Sequence, residues 1–176
     1  MAHAFRPATL DDLAMLRRWQ AEPHVRDWWS DDEPFDAADL ADARVRRWIV
    51  SHDGRPFAFM QDYDIHGWGA HPLDALPPGS RGIDQYVGDP AMTGQGHGPA
   101  FILQRIAALL AEGAPAIGTD PHPGNARAIL VYERLGFRVL GPERTSDWGL
   151  VLPMALWADP PQSHPIAAVQ RGSAIG

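Results

Sequence analysis

Cysteine is absent from the 176-residue chain, which excludes disulfide scaffolds, thiol enzymes and Cys-ligated zinc or iron–sulfur sites. Lysine is absent as well. All 15 basic residues are arginine, so Schiff-base chemistry and lysine general bases drop out of the candidate mechanisms. Positive charge is scarce: 22 acidic residues leave a net charge of −7. A polyanion would be repelled over most of such a surface, and nucleic acid is not expected as a partner. Long apolar runs are missing too, since none approaches the ~20 residues that span a bilayer. The start, Met1-Ala2-His3-Ala4-Phe5-Arg6-Pro7, lacks the basic-then-apolar shape of a signal peptide. No membrane partner is expected. The expectation is one cytoplasmic domain over residues 1–158 and a Pro/Ala/Gly-rich tail over 159–176.

What the chain does contain is an ordered alternation of elements. Its 17 glycines and 17 prolines cluster around residues 72–82, 94–99, 113–124 and 160–172, which marks loops between ordered segments. His3 to Pro7 reads as a short strand. Thr9 and Asp12 form a capping-box pair ahead of Leu13, Leu16 and Trp19 at helical spacing. Asp36 caps a second short helix expected to run through Leu40, Ala43 and Val45. The β-rich arms Trp48–His52 and Pro56–Tyr63 flank Asp53-Gly54, a strong hairpin signal. Gly82–Val87 reads as a strand and Pro99–Glu112 as a helix with Phe101, Ile102, Leu103, Ile106, Leu109 and Leu110 on its apolar face. A strand at Ala114–Thr119, a helix at Asn125–Leu135 and strands at Phe137–Leu140 and Leu150–Trp157 complete the pattern. Strands interrupted by single helices predict an α/β domain with one mixed sheet and helices on both faces.

The sharpest local chemistry is Thr93-Gly94-Gln95-Gly96-His97-Gly98-Pro99. Alternating glycines let the backbone turn its N–H groups toward one point, and the following helix adds its positive dipole end. Such a nest suits a diphosphate; a ligand-free glycine turn is the plainer alternative. It is neither a dinucleotide fingerprint nor a nucleotide P-loop, because the Gly-x-Gly-x-x-Gly spacing does not fit and no lysine follows. The eight histidines include His66 and His71 in a Gly/Pro loop and His122 between prolines. None shows the paired helical spacing of a metal site, and no metal is expected. Around Trp28 and Trp29, the carboxylates Asp31, Asp32, Glu33, Asp62 and Asp64, together with Tyr63, suit a cationic, hydroxylated molecule. The alternative is a solvated acidic loop beside two core tryptophans.

The glycine loop, then Thr119-Asp120-Pro121, Asn125-Ala126-Arg127-Ala128-Ile129 and Tyr132-Glu133-Arg134-Leu135-Gly136-Phe137, resemble the acetyl-CoA-binding core of the GNAT N-acetyltransferase superfamily. Arg81-Gly82-Ile83-Asp84-Gln85 and the Trp28-Trp29 pair are similar to aminoglycoside 6'-N-acetyltransferases, and the resemblance covers roughly Phe5 to Trp157. It implies a mostly antiparallel central sheet and direct transfer of an acetyl group from acetyl-CoA to a primary amine of a small, polar, cationic acceptor. Asp84 is the implied base and Tyr132 the proton donor to the departing thiolate. Tyr86, Val87, Gly94, Gln95, Gly96, His97, Gly98, Pro99, Asn125, Ala128 and Tyr132 are implied on the cofactor side. Trp28, Trp29, Asp62, Tyr63, Asp84 and Asp120 are implied on the acceptor side. Backbone N–H groups near Tyr86 to Gly88 would polarise the thioester carbonyl. By residue type alone, Asp84 could instead pair with Arg81, Tyr132 could be a core tyrosine, and Asn125 could be an ordinary helix cap.

Two features depart from the pattern. Thr93 stands where the superfamily loop often begins with Gln or Arg, and Asp64–Pro72 differs from the acidic substrate loop of the aminoglycoside enzymes. An acyltransferase for another polar amine or a siderophore hydroxylamine, and a non-catalytic acyl-CoA-binding module, are the alternatives. A monomer or homodimer is expected.

Overall fold

In the computed structural model, which describes residues 2–29 and 34–159, the chain begins with strand β1 (Ala4–Pro7). A 3-10 turn (Leu10–Asp12) leads into helix α1 (Leu13–Ala21), followed by short helices α2 (Pro23–Arg26) and α3 (Ala37–Ala41). The hairpin β2 (Val45–His52) and β3 (Arg55–Asp64) comes next, then β4 (Arg81–Val87), α4 (His97–Ala111), β5 (Ala116–Thr119) and α5 (Ala126–Arg134). Four short strands close the chain: β6 (Arg138–Val139), β7 (Arg144–Ser146), β8 (Gly149–Val151) and β9 (Met154–Trp157).

Seven strands form one sheet in the order β1-β2-β3-β4-β5-β9-β6, while β7 and β8 pair separately. Every pairing is antiparallel except β4 with β5. The expected turn sits at Asp53 and Gly54, both at positive φ (48° and 77°), as a tight hairpin requires. The Thr9–Asp12 and Asp36–Asp39 capping boxes are both present.

Adjacent residues on the central strands feed opposite faces. Val50, Met60 and Ile83 pack against Phe101, Ile102, Ile106 and Leu109 of α4 and Tyr132 of α5. Ile49, Phe59 and Tyr86 pack against Leu16 and Trp19 of α1. A large apolar side chain contributes about 1.5–3 kcal/mol when fully buried. The four buried apolar residues of α4 therefore hold that helix in place although its first turn carries Gly98 and Pro99, both poor formers of a helix interior.

Three expectations need correction. The helix capped by Asp36 ends at Ala41, and Val45 already belongs to β2, because Asp42 takes an extended backbone. The single strand expected over Leu150–Trp157 is broken into β8 and β9 around Leu152-Pro153, where the proline has no N–H to give to a ladder. Leu103 is 52% exposed, and the polar Arg105 is buried on α4 instead. Among the described residues no helix is long and apolar enough to cross a membrane. The tail beyond Asp159, and the acidic run Asp31, Asp32 and Glu33, lie outside the described residues.

Candidate active site

Strand β4 leaves its parallel neighbour early. Only Arg81 and Gly82 pair with β5, at Ile117 and Gly118, whereas β4 stays paired with β3 as far as Val87. A wedge therefore opens between β4 and β5. Gly82 sits beside this opening under the Tyr63 ring: a Cβ added there would meet the ring at 2.3 Å, so any side chain would push the tyrosine away.

Around the wedge the fold gathers Asp84, Asp120, Tyr63 and Tyr132. Asp84 on β4 lies opposite Gln61 on β3, and the Gln61 Nε2 donates to Asp84 Oδ2 at 2.9 Å. Asp120, just past β5, is 9% exposed and accepts a hydrogen bond from Trp148 Nε1 at 3.0 Å. Burial first, and then the charge on nearby Asp84, push the Asp120 carboxyl up to about 8, against the opposing pull of Trp148. The same two carboxylates add to the burial that raises Tyr63 well above its ordinary range. Burial likewise takes the Tyr132 phenol to about 12, so it carries its proton at neutral pH. Gln85 donates to the Tyr132 oxygen, and Thr119 is hydrogen-bonded to it. Both contacts favour the phenolate, which is the state left once the proton has been given away.

The glycine loop meets its backbone expectation. Gly96 is the residue capping α4 and has φ +82°, and Gly94 has φ +75°; both positions are strained for other residues. A Cβ at Gly98, which lies inside the helix, would meet nothing within 4 Å, so neither backbone nor packing demands glycine there. The space over the first turn is open to a ligand's close approach. Gln95 and Pro99 are exposed on this segment, but the His97 ring is buried and turned toward His3. Asn125 is spent as the cap of α5, accepting from Ala128 N–H at 3.1 Å. At the far end of β4, the Val87 carbonyl meets the His24 ring at 2.8 Å, and the Gly88 N–H is already given to the Phe57 carbonyl. Gly88 is therefore not a free donor for a thioester, and the same ladder, two residues back, turns the Tyr86 N–H toward Phe59, which leaves Val87 from the expected trio.

On the acceptor side the two tryptophans divide. Trp29 is half-buried among Tyr86, Phe59 and Phe35, with ring centroids 4.9, 5.8 and 6.1 Å away, and belongs to the α1-side core. Trp28 is 46% exposed and lies against His122 of the β5–α5 loop, 6.0 Å between rings. Three buried polar atoms here have no protein partner: Gln61 Oε1, the Tyr86 hydroxyl and Trp29 Nε1.

Asp62 does not join this group. It is adjacent to Tyr63, and strand alternation turns it to the other face. There it is fully buried, with Arg46 at 2.6 Å, Arg81 at 2.9 Å, Arg105 at 2.8 Å and Trp48 Nε1 at 2.8 Å. Burial opposes its ionisation, but the Trp48 hydrogen bond and the three guanidiniums outweigh that and hold the carboxyl below its ordinary value. Asp62 is the hub of an internal ion network rather than an acceptor contact.

Sequence reasoning passed over Gln61, Gln85, Thr119 and Trp148. Gln61 was within reach of a period-two reading from Tyr63; Gln85 alternates to the opposite face from Asp84, Trp148 is far along the chain, and neither carried a signal. It also lines a cavity of ≈ 250 Å³ between His71–Asp74 and Arg144–Ser146, and its ring is 5.1 Å from His71. Burial lowers His71 to about 4, so that ring stays neutral. The larger cavity, ≈ 570 Å³, opens beside Arg46, Arg81 and Glu112 and touches neither Asp84 nor Asp120.

Comparison with known proteins gives a consistent picture. The model of the acetyltransferase (GNAT) domain matches residues 8–144. An aminoglycoside N(6')-acetyltransferase type 1 of Klebsiella pneumoniae is 32% identical over 157 residues, covering 81% of this chain and 77% of that protein. The structure of AAC(6')-Ib in complex with ribostamycin and coenzyme A superposes with a TM-score of 0.79 at 30% identity, covering 89% of this chain and 94% of the other. The same enzyme with coenzyme A and kanamycin gives 0.77 over 89% and 95% of the two chains, again at 30% identity.

Proposed function

From the premise that this chain belongs to the GNAT family of acetyl-CoA-dependent N-acetyltransferases, we propose that it acetylates a primary amine of an aminoglycoside, the 6'-amine in the first instance. The observation that carries the acceptor class is the Asp84–Asp120 pair. Two carboxylates face each other's charge around one opening, and among the described residues no guanidinium lies within ion-pair distance of Asp120. An ammonium group supplies the missing positive charge. The unpartnered Gln61 Oε1, Tyr86 hydroxyl and Trp29 Nε1 complement a molecule that carries amino and hydroxyl groups together. Exposed Trp28 gives a flat apolar surface for a sugar ring.

The residues present fit acetyl-CoA. Gly94, Gly96 and Gly98 at the start of α4 suit the diphosphate, and the β4 edge beyond Gly82 suits an extended arm reaching Tyr132. When bound, acetyl-CoA supplies an acetyl thioester, whose carbonyl carbon gains the acceptor nitrogen and loses the CoA sulfur. Asp84, held by Gln61, accepts the proton that the amine must lose, directly or through one water. Tyr132 gives its phenolic proton to the leaving sulfur, while Gln85 and Thr119 stabilise the charge left on its oxygen. Asp120 holds the ammonium form beforehand and sets its orientation. Asp84, Asp120, Tyr132 and the glycine loop all come from one chain, so a monomer and a homodimer serve equally. The cytoplasm, where acetyl-CoA is made, is the compartment that fits.

The test is thiol release from acetyl-CoA over kanamycin-type aminoglycosides, polyamines, amino acids and hydroxylamines. Turnover is expected with the aminoglycosides, with KM rising as salt screens the carboxylates. Turnover confined to neutral or anionic amines would reject the acceptor reading and leave the acetyltransferase itself standing.

A further inference from the structure

His3, His52 and His97 come from three distant parts of the chain, and the fold brings their rings together. Continuing the β1–β2 register one step past Ala4 and Ser51 sets His3 beside His52, and His97 is the first residue of α4. The ring centroids are 5.5 Å apart for His3 and His52, 5.4 Å for His3 and His97, and 4.6 Å for His52 and His97. One nitrogen from each ring lies within 4.8 Å of one from both others.

We infer that His3, His52 and His97 form a binding site for a divalent transition-metal ion of borderline softness, with Zn²⁺ the reference ion. Imidazole is the ligand this class favours, and three imidazoles with an open fourth position are an established donor set. The contact of His3 Nε2 with His97 Nδ1, 3.1 Å, spends the N–H of one ring and the lone pair of the other, and the ion would take its place. His3 Nδ1 and His52 Nδ1 are both buried with no hydrogen-bond partner. Two unpartnered ring nitrogens in one place are unfavourable unless something shares their lone pairs.

The His52 Nε2 faces an exposed Asp53 oxygen at 3.6 Å, beyond hydrogen-bond distance, and its Nδ1 is the buried nitrogen that would meet the ion. His3 is held in place by Gln104 of α4, which accepts from its N–H at 3.0 Å and donates to its carbonyl at 2.8 Å. Bonds of about 2.0–2.1 Å to a tetrahedral ion set the nitrogens about 3.4 Å apart, so the outer separation of 4.8 Å must close by roughly 1.4 Å, through rotation of half-buried His52. The ion would tie β1 and the β2–β3 hairpin to the first turn of α4. No step of acetyl transfer passes through it.

The test uses the untagged full chain, stripped with chelator and titrated with Co²⁺ and then Zn²⁺. One Co²⁺ per chain should give the visible bands of a tetrahedral ion, Zn²⁺ should displace it, and Zn²⁺ should raise Tm. In folded His52→Asn the bands and the Tm rise should vanish, whereas His66→Asn, at an exposed histidine elsewhere, should keep both. Absence of tetrahedral Co²⁺ bands from the unaltered chain overturns the site whatever the variants do. Equal loss in His52→Asn and His66→Asn also overturns it, since it would mean binding to surface histidines.

Discussion

Two buried carboxylates on this sheet have opposite fates. Asp62, with no exposed surface, is surrounded by Arg46, Arg81 and Arg105 and is held ionised. Asp120, 9% exposed, has an indole N–H and a second carboxylate for company and is pushed toward its neutral form. Burial is nearly equal, so it does not separate the two roles; charge compensation does. Where the chain supplies the cations, the carboxylate organises structure. Where it withholds them, the carboxylate waits for a cation from outside.

The largest effect should come from breaking the compensated side. Asp62→Ala leaves three guanidiniums without their shared partner, and loss of one member of a buried ion network costs about 3–5 kcal/mol. Urea unfolding should show that loss, and an unchanged midpoint would mean that Asp62 is not the hub. On the other side, Asp84→Asn should leave stability and CoA affinity near their starting values and lower turnover about 10²-fold, or about 2.7 kcal/mol in the barrier. Full turnover across the pH range would place the base elsewhere.

Asp120→Asn sharpens the contrast through pH. The folded carboxyl is pushed up to about 8 against an ordinary 3.8, so between those values the native state holds more protons than the unfolded chain. Its contribution therefore makes stability fall as pH rises through that window. Removing it should flatten the slope and raise stability at about pH 8 by on the order of 1–2 kcal/mol, while weakening acceptor binding. Denaturant melts at several pH values check the sign, and a variant less stable than the parent at pH 8 would reverse the assignment. Smallest is Tyr132→Phe, expected to slow turnover about tenfold with CoA affinity, read by calorimetry, nearly unchanged. A loss confined to CoA binding would make Tyr132 a cofactor contact only.

Much of this contrast was invisible in the amino-acid order. The hairpin at Asp53-Gly54, the caps at Thr9 and Asp36 and the apolar face of α4 are local signals, and they were legible because turn and cap chemistry acts over a few residues. Asp84 and Tyr132 stood out through motif resemblance, and the fold gathers them around one opening. Asp62 and Tyr63 looked like one acceptor cluster because they are neighbours in sequence, yet strand alternation sends them to opposite faces. Arg105 was hidden within an apolar helix pattern, and its partner lies 43 residues away. His3, His52 and His97 share no spacing that a metal motif would show; only strand register and the start of α4 unite them. Trp28 and Trp29 differ in exposure for the same reason: adjacent residues, different surroundings.

The most direct measurement is the proton count on acceptor binding. Kanamycin is titrated at about pH 7 into the unaltered chain and into Asp120→Asn, in buffers of different ionisation heat. If an ammonium supplies the charge that Asp120 lacks, binding drives that carboxyl to its ionised form, and the unaltered chain should release up to about one proton more than the variant. Equal proton counts in the two proteins would contradict the reading of Asp120 as a carboxylate that waits for its cation.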